Sequence, residues 1–333
     1  MKRFQLLILL PALFLCEASA QGPANTGTYY ATANGKSGQE LKTALCAIVG
    51  PHIQRTYSQL WEDFKRTDLR PDGKIWDMYS GVTNFDPDTG HSGNYKKEGD
   101  VFNREHSMPK SWFNDEYPMY TDLFHLYPTD GYVNNRRSNY PFGETIAPTY
   151  RSGNDFSKLG PGKAEMGYTG VVFEPNDEYK GDFARTYFYM VTAYESYTTP
   201  QGTNRRVASW NSPMLAQNTY PVFTDWALAL LLRWSALDPV SEKELKRNEA
   251  VFLIQNNRNP FIDYPGLEQY IWGDRKDVPF SYDQYENGII NIPIAAQVQR
   301  DAAVVYDLCG RKLDGQRLRK GIYVRNGRKL LVK

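Results

Sequence analysis

Residues 101–143 read VFNREHSMPKSWFNDEYPMYTDLFHLYPTDGYVNNRRSNYPFG, and the reading of this stretch decides the fold. It holds two of the chain's four histidines, His106 and His125. Glu105 precedes His106, and Asn134 and Asn135 follow a Pro-Thr-Asp-Gly turn. A histidine beside an acid, with an asparagine on a later element, suits one oxygen-ligated cation and one base acting on a phosphodiester. Mg²⁺ prefers carboxylate and carbonyl oxygens, takes few protein ligands and keeps several waters. Glu105 and Asn134 are the candidate metal ligands, with Asn135 as the alternative one residue further on. His106 is the candidate base, because imidazole exchanges its proton near neutral pH. One ring nitrogen is expected to be oriented by a backbone carbonyl while the other faces water. Spacing alone carries little weight, since Glu-His dipeptides and Asn pairs are common.

Order along the chain carries more. Asn103, Glu105, His106 and Pro109 form an Asn-x-Glu-His-x-x-Pro segment. Asp122, Leu126 and Pro128 follow, then Gly131, Val133, Asn134, Arg137, Ser138 and Asn139. Further on stand Glu174-Pro175, the run 180–190, Thr224-Asp225-Trp226 and the run 255–261. Over roughly residues 75–265 this succession resembles the bacterial endonuclease I family of periplasmic and extracellular DNases and RNases, and an ordered series is much harder to reach by chance than one short motif. The resemblance implies an α+β fold, a mostly helical nuclease domain around a ββα-metal (His-Me finger) core. It also implies a sequence-nonspecific, divalent-metal-dependent hydrolase of DNA or RNA that leaves 5′-phosphates, with Mg²⁺ (Mn²⁺ or Ca²⁺ as alternatives) on Glu105 and Asn134.

The chain departs from the family in three places. It lacks the arginine that relatives place between the histidine and the asparagine, against the scissile phosphate. Arg136, Arg137 and Arg185 are the candidate substitutes, with Arg137 and Arg185 preferred. Tyr120 replaces an acid, and Phe124 stands where relatives have a histidine, which leaves His125 equally open to packing or function. Asp122 is read as orienting the site from behind.

With 333 residues and 41% hydrophobic side chains the chain can bury one large core or a core plus a small module. Residues 1–20 read as a secretory signal: Lys2 and Arg3, an apolar run too short to span a bilayer, then Ala18-Ser19-Ala20. Residues 21–285 form the expected nuclease domain and 286–333 a small β-module. Removal of the leader would leave Cys46 and Cys309, one possible disulfide rather than a framework. Charge is uneven. Residues 286–333 carry ten Lys/Arg against four Asp/Glu, so with +1 in the leader and +1 overall, residues 21–285 stand at −6. An acidic catalytic region is a poor general trap for nucleic acid, so any binding groove must be locally basic.

Ser37 to Glu40 reads as a capping box opening a helix through Val49. Tyr57, Leu60, Trp61 and Phe64 recur at helical spacing, which favours core packing over base stacking. Residues 74–80 and 101–106 read as strands, and Pro128-Thr129-Asp130 as the start of a helix with Thr129 or Asp130 as its cap and Tyr132 to Arg137 in its first turns. Helices are expected from Asp182, with Arg185 off the apolar face, from Thr224, and from a Ser241/Glu244 capping box to about Gln255. Near the end, residues 304–312 and 320–324 read as short strands with Gly turns. They resemble the C-terminal sorting module of type IX secretion substrates, which implies that machinery as a partner. A small substrate-binding β-module is the competing reading. No stable membrane insertion and a monomer are expected. The rival to the enzyme is a catalytically impaired exported nucleic-acid-binding protein. A zincin is disfavoured because no His-Glu-x-x-His occurs.

Overall fold

The computed structural model describes residues 26–91 and 93–285, together with the backbone of four short strands beyond residue 300. The chain divides into two compact units, Met1–Asn287 and Gly288–Lys333. The expected leader, Cys309 and most of the C-terminal module lie outside the described residues. In the second unit β8 (Val305–Tyr306), β9 (Lys312–Leu313), β10 (Gly321–Arg325) and β11 (Arg328–Val332) form one sheet in the order β11-β10-β8-β9.

The first unit is α+β, as expected. Its helices are α1 (Gly38–Val49), α2 (Leu60–Thr67), α3 (Gly131–Arg137), α4 (Lys180–Ala193), α5 (Asp225–Leu237), α6 (Glu242–Gln255), α7 (Pro260–Asp263) and α8 (Leu267–Ile271). Its strands form small antiparallel sheets: β1 (Phe102–His106) with β2 (Leu126–Asp130), β3 (Tyr150–Arg151), β4 (Lys158–Pro161) and β5 (Val171–Glu174) in order, and β6 (Ser196–Thr198) with β7 (Asn204–Arg206).

α4 is the central element. A single apolar face was expected, yet all of α4 is buried, because α1, α5 and α7 pack around it. A helix that is largely apolar all round belongs in the middle of a core. Tyr189 donates to Asp122 Oδ2 at 2.8 Å, as does Tyr194 just beyond the helix at 2.6 Å. The Ser241/Glu244 capping box opens α6 as read from the sequence, and such a cap contributes about 1 kcal/mol.

Local expectations fail where side chains capture backbone donors. Residues 74–80 are not a strand: Asp77 Oδ1 accepts from the backbone N–H of Tyr79 and of Ser80, which bends the chain into a turn. Ser37 sits at the N-cap of α1 without a side-chain bond, since Glu40 instead pairs with Lys36. Asp182 lies inside the first turn of α4 and pairs with Lys243, while Tyr179 takes the N-cap. The helix expected to start at Pro128-Thr129-Asp130 does so, as α3, with these three residues themselves ending β2. Pro128 is tolerated there because the sheet has only two strands and its missing N–H breaks no ladder on a second side. Asp130 then caps α3 by accepting from Val133 N at 2.8 Å.

Candidate active site

The chain places its candidate residues on a hairpin followed by a helix. β1 pairs with β2 in a register that sets Glu105 opposite Tyr127 and His106 opposite Leu126. α3 follows β2 directly and packs on both strands. Alternation along β1 sends Asn103 and Glu105 one way and Arg104 and His106 the other.

Glu105 is closed off, 4% exposed, at the base of this arrangement. Oε1 accepts from Tyr79 Oη at 2.8 Å and pairs with Arg137 Nη1 at 3.0 Å. Both partners engage the same oxygen, and the Asn134 amide also lies within hydrogen-bonding reach of the carboxylate. Burial pushes the Glu105 carboxyl up to about 7, against the pull of Arg137, Tyr79 and the nearby Asn134 amide. Asn134 donates through Nδ2 to Asn103 Oδ1 at 2.6 Å, and no hydrogen bond to its own Oδ1 is formed among the described residues. Asn135, one residue on, is exposed. A carboxylate beside a side-chain amide oxygen is a donor set that fits a hard divalent cation keeping most of its waters.

His106 caps the strand, with Nε2 donating to the Tyr120 carbonyl at 3.0 Å. Nδ1 takes no hydrogen bond among the described residues. Burial holds the ring well below the usual imidazole range, and the neighbouring His125 lowers it further. The ring is therefore neutral at pH 7, with its lone pair on Nδ1. Tyr120 packs against it at 4.9 Å and Tyr57 stacks on it at 6.1 Å with 17° between planes. Tyr120, the departure from the family acid, thus serves through its backbone oxygen, which any residue type could supply.

Arg137 is next to the site but committed to holding it. Besides Glu105 it donates to the carbonyls of His106 and Ser107, and it is 1% exposed. Arg185 is not brought to the site. Its guanidinium grips Glu244 through two bonds of 2.6 and 2.8 Å and donates to the Asp238 carbonyl at 2.8 Å, all in the core. A closed-off guanidinium with its donors engaged has none to offer a phosphate, so the expectation of Arg185 as a phosphate contact is corrected. Arg136 is exposed and bonded to Tyr132 Oη at 2.6 Å. His125 is packed: it is fully buried, and its Nε2 donates to the Met119 carbonyl at 2.7 Å. Asp122 is equally buried and ties β2's approach to α4 and α6 through Tyr189, Tyr194 and Gln255. Phe124 packs on Tyr189 in the core at 4.6 Å.

Two residues escaped the sequence reading. Tyr79 holds Glu105 from a segment mistaken for a strand. Arg104 stands on β1 between the rings of Tyr57 and Trp61, 3.5 and 4.2 Å from their centroids. Its position two residues before His106 on a strand was the available signal.

The Endonuclease I family model matches residues 37–266. An extracellular ribonuclease of Bacillus amyloliquefaciens is 36% identical over 257 residues, covering 75% of this chain and 79% of the relative. An extracellular ribonuclease of Bacillus subtilis (strain 168) is 34% identical over 269 residues, covering 78% and 84%. Endonuclease-1 of Buchnera aphidicola subsp. Acyrthosiphon pisum is 25% identical over 142 residues, covering 43% and 44%. The chain belongs to the Endonuclease I family.

Proposed function

We propose that this chain is an exported, sequence-nonspecific nuclease that hydrolyses phosphodiester bonds in RNA, DNA or both. His106 is its general base, and Glu105 and Asn134 hold a divalent cation. The observation that carries this reading is the end of β1, where a neutral imidazole with a fixed Nε2–H directly follows a buried carboxylate held by Tyr79 and Arg137.

The chemistry follows from those atoms. His106 Nδ1 takes a proton from water as the water oxygen bonds to phosphorus in line with the leaving group. The P–O3′ bond breaks, the 3′-oxygen departs and is protonated from solvent, and the phosphate stays on the 5′-oxygen of the downstream fragment. The Tyr120 carbonyl orients the ring throughout and accepts from the imidazolium while it lasts. A divalent cation on Glu105 and Asn134 supplies electrostatic stabilisation of the charge that develops on the phosphoryl and leaving oxygens. Arg137 and Tyr79 hold the Glu105 carboxylate in place.

Export rests on the leader-like residues 1–20 and on the extracellular relatives. No helix among the described residues is long and apolar enough to cross a membrane. Residues 286–333 are proposed as a sorting module for type IX secretion. The binding-only rival loses one of its motives, since Phe124 is a core residue rather than a vacated catalytic position.

The test is incubation of the protein lacking residues 1–20 with supercoiled plasmid and with RNA, in Mg²⁺ and in EDTA. Cleavage in Mg²⁺ that disappears in EDTA and in Glu105→Ala is expected. Binding without cleavage across Mg²⁺, Mn²⁺ and Ca²⁺ would favour the rival.

A further inference from the structure

The sequence reading assigned Tyr57 and Trp61 to the core along with Leu60 and Phe64. Only the last two are buried. Tyr57 lies just before α2, and both it and Trp61 are half-buried, leaning over the outer face of β1. Between their rings sits the guanidinium of Arg104. Beyond Trp61 comes His91, stacked on it at 4.3 Å with 17° between planes. Tyr57 in turn stacks with His106. A column of planar groups therefore runs His106, Tyr57, Arg104, Trp61, His91, starting at the proposed base.

We infer that Arg104 is a docking point for a backbone phosphate of the substrate strand beside His106, an inference that rests on the nuclease reading. Three observations converge on a phosphate. With Tyr57 on one side and Trp61 on the other, the guanidinium has no free face on which a nucleobase could stack. What remains is its in-plane edge of N–H donors, which matches an oxyanion. Of that edge, Nη1 donates to the Tyr57 carbonyl at 2.6 Å, the Tyr57 side chain also lies within hydrogen-bonding reach of the guanidinium, and Nε has no hydrogen-bond partner among the described residues.

The second observation is the missing counter-charge. Arg55, Arg151, Arg185, Arg247 and Arg258 each face a carboxylate. Arg104 pairs with none among the described residues. A partly desolvated cation without a counter-ion is a standing cost, and an arriving phosphate relieves it. The third is charge context. Residues 21–285 are acidic overall, so contact with a polyanion has to run through local unpaired cations of this kind. Tyr57 and Trp61 also fix the side chain, so little rotamer entropy remains to be lost when the phosphate arrives. A phosphate contact positions the strand without reading its sequence, in keeping with nonspecific cleavage.

The test separates docking from chemistry. In the His106→Ala background and in EDTA, binding of a short fluorescein-labelled oligo(U) strand is followed across a range of NaCl concentrations. Arg104→Gln is expected to raise Kd about tenfold and to flatten the slope of log Kd against log salt by roughly one unit. Arg104→Lys is expected to recover most of the slope but only part of the affinity. Arg275→Gln, an exposed arginine packed on Tyr270, is the charge control and is expected to leave the slope unchanged. Thermal melts confirm that the variants fold. An unchanged slope in folded Arg104→Gln, or an equal loss in Arg275→Gln, overturns the inference. If the wild type cleaves normally and Arg104→Gln alters neither Kd nor slope, docking alone fails. If the wild type cleaves nothing but the Arg104 effect persists, the chemistry fails and docking stands.

Discussion

Arg137 Nη1 lies 3.0 Å from Glu105 Oε1, and both side chains are shut off from solvent. The pair joins the C-terminal end of α3 to the end of β1, so the helix that carries Asn134 also fixes the acid on the strand. Removing one member of a buried pair leaves a bare charge, which costs about 3–5 kcal/mol. Arg137→Met is therefore expected to lower the melting temperature markedly. Arg137→Lys keeps the charge but loses the fork that also grips the His106 and Ser107 carbonyls. It is expected to fold, with kcat reduced more than KM. Equal effects on both would mean that Arg137 touches the substrate instead.

Asn134 and Asn135 are separated by their surroundings, since Asn134 is turned onto Asn103 and Asn135 is exposed. Asn134→Ala is expected to weaken Mg²⁺ or Mn²⁺ binding by at least about tenfold in isothermal titration, in line with losses at metal sites. Asn135→Ala is expected to bind the ion like the wild type. The reverse ranking would shift the ligand by one residue.

Arg185 serves the core. Arg185→Met strips Glu244 of its partner and is expected to cost about 3–5 kcal/mol in denaturant unfolding. Activity per folded molecule is expected to stay at the wild-type level. A large fall in kcat at full folding would restore the discarded phosphate role.

Asp238 provides a pH dependence. Burial, with Asp182 adding like charge, pushes its carboxyl up to about 7. In the unfolded chain the group titrates near its ordinary value, about 3.9. Between those values the folded state holds a proton that the unfolded state has lost, so this contribution to stability declines as pH rises from about 4 to about 7. Asp238→Asn keeps an oxygen for the Gly181 N–H and cannot ionise. It is expected to raise the melting temperature by about 2 °C at pH 8 and to leave it nearly unchanged at pH 4. An equal gain at both pH values would mean that titration is not the cause.

Much of this was legible in the sequence, for identifiable reasons. β1, α5 and α6 carry their own local signals, from the short strand 101–106 to the Ser241/Glu244 box. Glu105, His106 and Asn134 were found through an ordered motif, and the hairpin and α3 bring Glu105 and Asn134 together. What escaped depends on long-range contacts. Nothing local shows that Tyr79, 26 residues before Glu105, donates to it, or that α4 is enclosed on all sides. Arg185 looked exposed because a helical wheel locates an apolar stripe but not a partner such as Glu244 on another helix. Tyr57 and Trp61 carried a helical period shared with true core residues, and only the position of β1 separates the two sets. Tyr120 seemed a defect because its side chain departs from the family, whereas it is its carbonyl that accepts from His106.

The most direct test of His106 as base is single-turnover cleavage of RNA and plasmid in Mg²⁺ by His106→Ala, with and without added imidazole. Loss of at least about a hundredfold in rate is expected, with intact folding and substrate binding. Partial recovery is expected as imidazole fills the space left by the ring. Cleavage by His106→Ala at close to the wild-type rate would contradict the assignment and place the base elsewhere.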